Sequence, residues 1–158
     1  MNRMRTNIAM LRAPASEHTQ TQKGAVMVEF AFILPIFLLL LFGVITFSVA
    51  LYNRTVLCLA VREGARMGAL YDANNYDSNG NFVSSNVITK ANAAAMQVLN
   101  NDLVTFGPGM NPTATTSVSG AAGQRTVTVT ANINYTGLYI FSNALSLSAT
   151  TIMRLEED

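Results

Sequence analysis

Glu29 stands at the mouth of a long apolar run, because residues 30–53 contain no charged side chain. A carboxylate held against hydrocarbon is costly, so it must neutralise, snorkel to the headgroups or find a cationic partner. The pair Lys23-Gly24 sits five residues ahead of it, at the end of a short basic leader. A leader, a glycine and an acid just inside an apolar edge form an unusual combination, and most of the functional information lies there.

The other chemically capable residues are more ordinary. Arg62, Glu63 and Arg66 fall within one helical turn, and Glu63 with Arg66 has the i,i+3 spacing of a helix ion pair, worth a few tenths of a kcal/mol. Their plainest role is a solvated or headgroup-level collar. Cys58, the single cysteine, can form no intrachain disulfide and is expected to be a small buried hydrophobe. The single histidine, His18, lies in the leader. Asp72, Asn74, Asp77 and Asn79 have the composition of a calcium loop but not its ordered D-x-[DN]-x-[DN]-G spacing, so a turn is expected. No cysteine–histidine pair, phosphate-binding loop or paired-carboxylate pattern occurs, which argues against an enzyme and against a metal, cofactor or small-molecule substrate. A formal charge of +1 without a basic stripe argues against nucleic acid.

These residues need elements to position them. Residues 24–52 are long and apolar enough to cross a bilayer, which takes about 20 residues at 1.5 Å each. Past Arg54, residues Val56, Leu59, Ala60, Glu63 and Met67 recur at spacings of three and four, so the helix is expected to continue to about Leu70. Pro35 removes one backbone donor and predicts a kink or slight unwinding about one turn before it. Gly43, Gly64 and Gly68 could permit close helix–helix approach.

The stretch 71–82 is dense in Asn, Asp and Gly and reads as a loop. Next comes an Ala-rich helix with Val87, Ala91, Ala94, Ala95, Val98 and Leu99 close to one face, Ser84 or Ser85 as its cap, and GPGMNP at 107–112 as its stop. From Thr113 the period changes to two. Val127, Val129, Ala131 and Ile133 share one parity after a Gly-rich turn, which predicts a hairpin with an apolar face; residues 145–155 supply a third strand. Residues 137–144 read as a loop or helical turn, and Glu156, Glu157 and Asp158 as a frayed end. The fold class is therefore α+β: a long N-terminal transmembrane helix followed by a small domain with a second helix and a three-stranded antiparallel sheet. About 85 residues beyond the helix are marginal as a domain, so they should lean on that helix or on neighbouring subunits.

The string Lys23-Gly24-Ala25-Val26-Met27-Val28-Glu29-Phe30 leading into an apolar helix resembles a prepilin-peptidase site of the type IV pilin class. Together with AVREGARMGA at 60–69, it resembles the TadE-like pilins of tight-adherence (Flp) pilus systems, and the closing SATTIMRLEED is similar to that family's usual end. The resemblance implies three segments: a leader 1–24 cut between Gly24 and Ala25, a helix 25–70 with its span at about 30–52, and an exported α+β domain 71–158. It implies that the new Ala25 amine pairs with Glu29, in its own chain or the next subunit, with Phe30 beside them, and so sets register. For Pro35 two readings stand side by side, an unwinding that fits a fibre lattice and a tolerated kink in a membrane helix; for Arg62, Glu63 and Arg66 the sharper reading beside the collar is a contact with other subunits or the inner-membrane assembly platform.

The implied partners are the membrane, a prepilin peptidase, other pilin subunits and that platform. The major pilins of such systems are little more than the helix, so a domain of this size implies a minor subunit serving adhesion. The alternative is a single-span inner-membrane anchor presenting a small periplasmic binding domain. Charge barely decides orientation. The leader carries four basic residues and residues 54–66 carry three, which slightly favours a cytoplasmic N-terminus and a periplasmic domain.

Overall fold

A computed structural model describes residues 18–105, 110–135 and 145–157, with side chains described from residue 24. Residues 1–17 of the expected leader, the segment 137–144, Asp158 and part of the 107–112 stop lie outside the described residues. The elements run α1 (His18–Ala69), a 3-10 turn (Ala73–Asn75), α2 (Ser84–Asp102), β1 (Thr113–Ser119), β2 (Thr126–Tyr135) and β3 (Leu145–Arg154). This is the expected α+β class. The chain divides into two compact units, one ending at Leu41 and one beginning at Phe42.

In the first unit α1 is exposed at every position from 24 to 41. Its backbone remains helical through Pro35. In the second unit the same helix buries Ala50, Val56, Leu57, Ala60, Val61 and Ala65, a stripe recurring every three to four residues. Two glycines continue that stripe. A Cβ built on Gly64 would lie 2.8 Å from the Ala91 carbonyl oxygen and 3.0 Å from the Ala95 Cβ, and one on Gly68 would lie 3.0 Å from the Ala91 Cβ. Gly64 and Gly68 thus permit close approach within the chain, against the alanines of α2.

That helix buries Val87, Ala91, Ala95 and Leu99 at four-residue steps, while Ala94 and Val98 are half-buried. Neither serine caps it. Its N-cap residue is Val83, which makes no side-chain capping bond, and Ser84 is already its first helical residue.

The sheet is antiparallel with order β1-β2-β3. Val127, Val129, Ala131, Ile133 and Tyr135 are buried on one face of the central strand, so the expected parity is observed. Pairing places Val118 and Met153 beside Val127, and Ala114 and Ala149 beside Ala131. The opposite face is a carpet of hydroxyls and amides, with Thr130 Oγ1 and Thr150 Oγ1 3.0 Å apart across two strands. Each fully buried Val, Leu or Ile stabilises by about 1.5–3 kcal/mol. Because Leu57, Ala60, Val61 and Ala65 of α1 belong to the same cluster as the sheet and α2, the small domain does lean on its helix. The β1–β2 turn demands glycine at Gly120: its φ is 108°, and a Cβ there would fall 2.5 Å from the Gln124 carbonyl oxygen.

The acidic end is tied down rather than frayed through residue 157. Leu155 is buried and its N–H donates to the Arg125 carbonyl at 2.9 Å, while Glu156 N–H donates to the Ala69 carbonyl at 2.8 Å. The second bond satisfies an acceptor at the end of α1 that has no partner within the helix. Glu157 pairs with Arg125 at 3.1 Å, and that guanidinium also lies 4.2 Å from the centre of the Phe82 ring.

Candidate functional site

The residues singled out at the start of the apolar run all lie on α1, and all are open. Gly24, Ala25, Glu29 and Phe30 are exposed, and a Cβ built on Gly24 would meet nothing within 4 Å. Pro35 is likewise exposed within the helix. Among the described residues α1 is the one helix long and apolar enough to cross a membrane, with a mean hydropathy of 2.8 over its most apolar window and none of that window buried. A soluble protein's core helix of that composition would bury its apolar side chains.

The collar residues lie on the packed part of α1. Glu63 and Arg66 form the i,i+3 pair at 3.5 Å, both well exposed, so it contributes only a few tenths of a kcal/mol. Arg62 is exposed and engages neither of them. Cys58 is a free thiol and half-buried, one turn before Arg62 and one turn after Arg54.

In the loop after α1 both carboxylates serve the backbone. Asp72 Oδ1 accepts from the Asn74 N–H at 3.0 Å, and its other oxygen meets Lys90 Nζ at 3.1 Å. Asp77 Oδ1 accepts from the N–H groups of Asn79 and Asn81, each at 2.8 Å. The Asn74 N–H, with help from Lys90, holds the Asp72 carboxyl below its ordinary pKa, and the Asn81 N–H does the same for Asp77. These are Asx-turns, and among the described residues no group of three or more His, Cys, Asp or Glu side chains is placed to hold a metal.

The sequence reasoning missed Asn53. Its side chain is fully buried where the uncharged run ends, and it clamps the chain leaving α2: Nδ2 donates to the Val104 carbonyl at 2.8 Å, while Oδ1 accepts the Val104 N–H at 3.0 Å. The available signal was a lone amide closing an otherwise apolar stretch at a position on the buried stripe. Tyr135, also buried, has its phenol pKa pushed up by that burial.

A helix exposed and apolar over its first half, and built into a small α+β head over its second, fits a single-pass membrane anchor that carries a small head. The model of the TadE-like protein family matches residues 24–66, from the open glycine through the collar, and supports a TadE-like protein of the Tad pilus system. That family is structural and pilus-associated. No curated relative and no solved structure matches the chain at a significant level.

Proposed function

We propose that this chain is a minor pilin or pseudopilin. A prepilin peptidase cuts it between Gly24 and Ala25, and it then takes part in assembling a tight-adherence (Flp) pilus for adhesion. Before assembly it crosses the inner membrane once, with residues 71–158 in the periplasm. The observation that carries this reading is the family match beginning at Gly24 on a helix whose apolar side chains are exposed. Glu29, the fifth residue counted from Ala25, is exposed and free to meet the new amine of a neighbouring subunit. In a low-dielectric bundle such a pair sets register more firmly than apolar contact, because slippage would leave both charges unpaired. Arg62, Glu63 and Arg66 serve as contacts to other subunits or to the assembly platform, and Pro35 as the point where the helix yields in a fibre.

Gly24→Arg gives a clean test. The position has open space around it, so the substitution should leave the fold intact while removing the small residue that the peptidase must accommodate. Intact-protein mass spectrometry from the native host should show the mature chain starting at Ala25 for the wild type and the uncut precursor for the variant, together with loss of pili. A wild-type chain of full precursor mass would overturn the processing step and favour the plain inner-membrane anchor.

A further inference from the structure

We infer that a groove between α1 and β3 binds the phosphate of an anionic phospholipid headgroup, fixing the head against the bilayer from which its helix emerges. This rests on the reading of α1 as a membrane anchor. The groove is a shallow cavity of about 240 Å³ lined by Arg54, Cys58, Arg62, Ser148 and Thr151 among others. Arg54, Cys58 and Arg62 are spaced one turn apart along one side of α1, so two guanidinium groups flank a short, hydroxyl-bearing wall. Guanidinium forks suit phosphate oxygens, and Thr151, which shares the α1-facing parity of β3 with Ala149 and Met153, offers a hydroxyl as a further donor.

Two observations separate this groove from an ordinary solvated surface. The first is charge. The other basic side chains from Phe42 onward are engaged: Arg66 with Glu63, Lys90 with Asp72, Arg125 with Glu157, and Arg154 with the Gly123 carbonyl. Among the described residues, Arg54 and Arg62 have neither an ion pair nor a hydrogen-bonded acceptor, and both are exposed. The second is position. Arg54 is the first charge after the uncharged run 30–53, and the exposed Tyr52 precedes it. Asn53 pins Val104 beside the same turn, so that this exposed apolar side chain sits level with Arg54. Leu145, also exposed, opens β3 three residues before Ser148. An apolar rim with an aromatic ring, followed at once by unneutralised arginines, matches the order of chemistry met on leaving a bilayer: acyl chain, interface, phosphate.

The test uses the full chain in nanodiscs of phosphatidylcholine with a minority of phosphatidylglycerol, followed by native mass spectrometry of retained lipid. Wild type should retain phosphatidylglycerol selectively. Arg54→Gln or Arg62→Gln should each lower that affinity roughly fivefold, and the double variant roughly thirtyfold, the effect of about one surface basic residue each. Arg66→Gln, whose charge is already paired, should retain lipid as wild type does. Circular dichroism of each variant checks that the head remains folded. Equal retention of both lipids, or an equal loss in Arg66→Gln, overturns the inference while leaving the anchor intact. Displacement of the lipid by millimolar inorganic phosphate overturns it in favour of a free anion. A dimer abolished by the double variant with lipid retention unchanged overturns it in favour of a second copy of the chain. If wild type fails to stay in pure phosphatidylcholine discs, the anchor reading itself has failed, and the inference falls with it.

Discussion

The two halves of α1 share a backbone and a helical period, but they place their side chains in opposite surroundings. From residue 24 to 41 nothing is buried, and Phe30, Phe32 and Phe37 are all more than half exposed. From Ala60 to Gly68 the buried positions (Ala60, Val61, Gly64, Ala65 and Gly68) are small or β-branched, and α2 approaches so closely that a Cβ on Gly64 would lie 2.8 Å from a backbone oxygen and one on Gly68 3.0 Å from the Ala91 Cβ. The first half is large and apolar and packs against nothing among the described residues, so only volume and hydropathy constrain it. The second is small because its neighbour is a backbone held at fixed distance. Apolar content alone therefore does not tell anchor from core; residue size along the stripe does.

Glycines offer the sharpest way to break that contrast. Gly64→Val should cost about 3 kcal/mol or more, because its Cβ would sit 2.8 Å from a backbone oxygen that cannot rotate away. Gly43→Ala, where a Cβ meets nothing within 4 Å, should cost nothing and gain up to about 1 kcal/mol of helix propensity. Thermal unfolding of the full chain in detergent, followed by circular dichroism, compares the two directly. Equal shifts in melting temperature would show that α2 does not pack on α1 as closely as the structure has it.

Asn53 lies within the second half, where the uncharged run ends, and its loss should have the next largest effect. Asn53→Leu replaces the amide with an apolar branched side chain and leaves the Val104 N–H and carbonyl without their partner, at a cost of about 1–3 kcal/mol. Hydrogen exchange should speed up at the Val104 amide with little change in the helical amides before Leu41. Unchanged exchange at Val104 would mean that the clamp does not hold the end of α2.

The legibility of the chain follows the same division. Period and composition marked the C-terminal end of α1 to within a residue, along with α2 and the apolar parity of β2, because each is a repeated pattern in contiguous residues; the other end was not legible, since α1 already includes His18–Gly24 of the expected leader. Asn53 could not be recognised as a clamp, since its partner lies 51 residues away and offers only backbone atoms. The serine cap failed for a related reason: a capping hydroxyl needs a chain entry geometry that Val83 already supplies. The C-terminal acids looked like a solvated tail, yet the Arg125–Glu157 pair and the bond to Ala69 are long-range contacts with no local signature. Gly24 and Glu29 stand out in the sequence because spacing from an apolar edge is visible without tertiary context.

Acid should separate the halves most gently. Asp72 and Asp77 have folded pKa values below the ordinary value near 3.8, so their turns contribute stability that is fully present above that value and is lost as pH falls through the lower, folded one. Residues 30–53 have no carboxylate, so that part of the helix has nothing to protonate. Below about pH 4 the amides of Asn79 and Asn81, which donate to Asp77, should lose protection relative to their intrinsic exchange rates while the far-ultraviolet helical signal holds. Asp77→Asn keeps an oxygen acceptor at the same position without a titrating charge, so this variant should show the turn at neutral pH and lose most of the acid response. If its amides loosen with acid as the wild type's do, the Asp77 carboxylate is not what titrates, and Asp72 with its Lys90 contact becomes the group that holds the loop to α2.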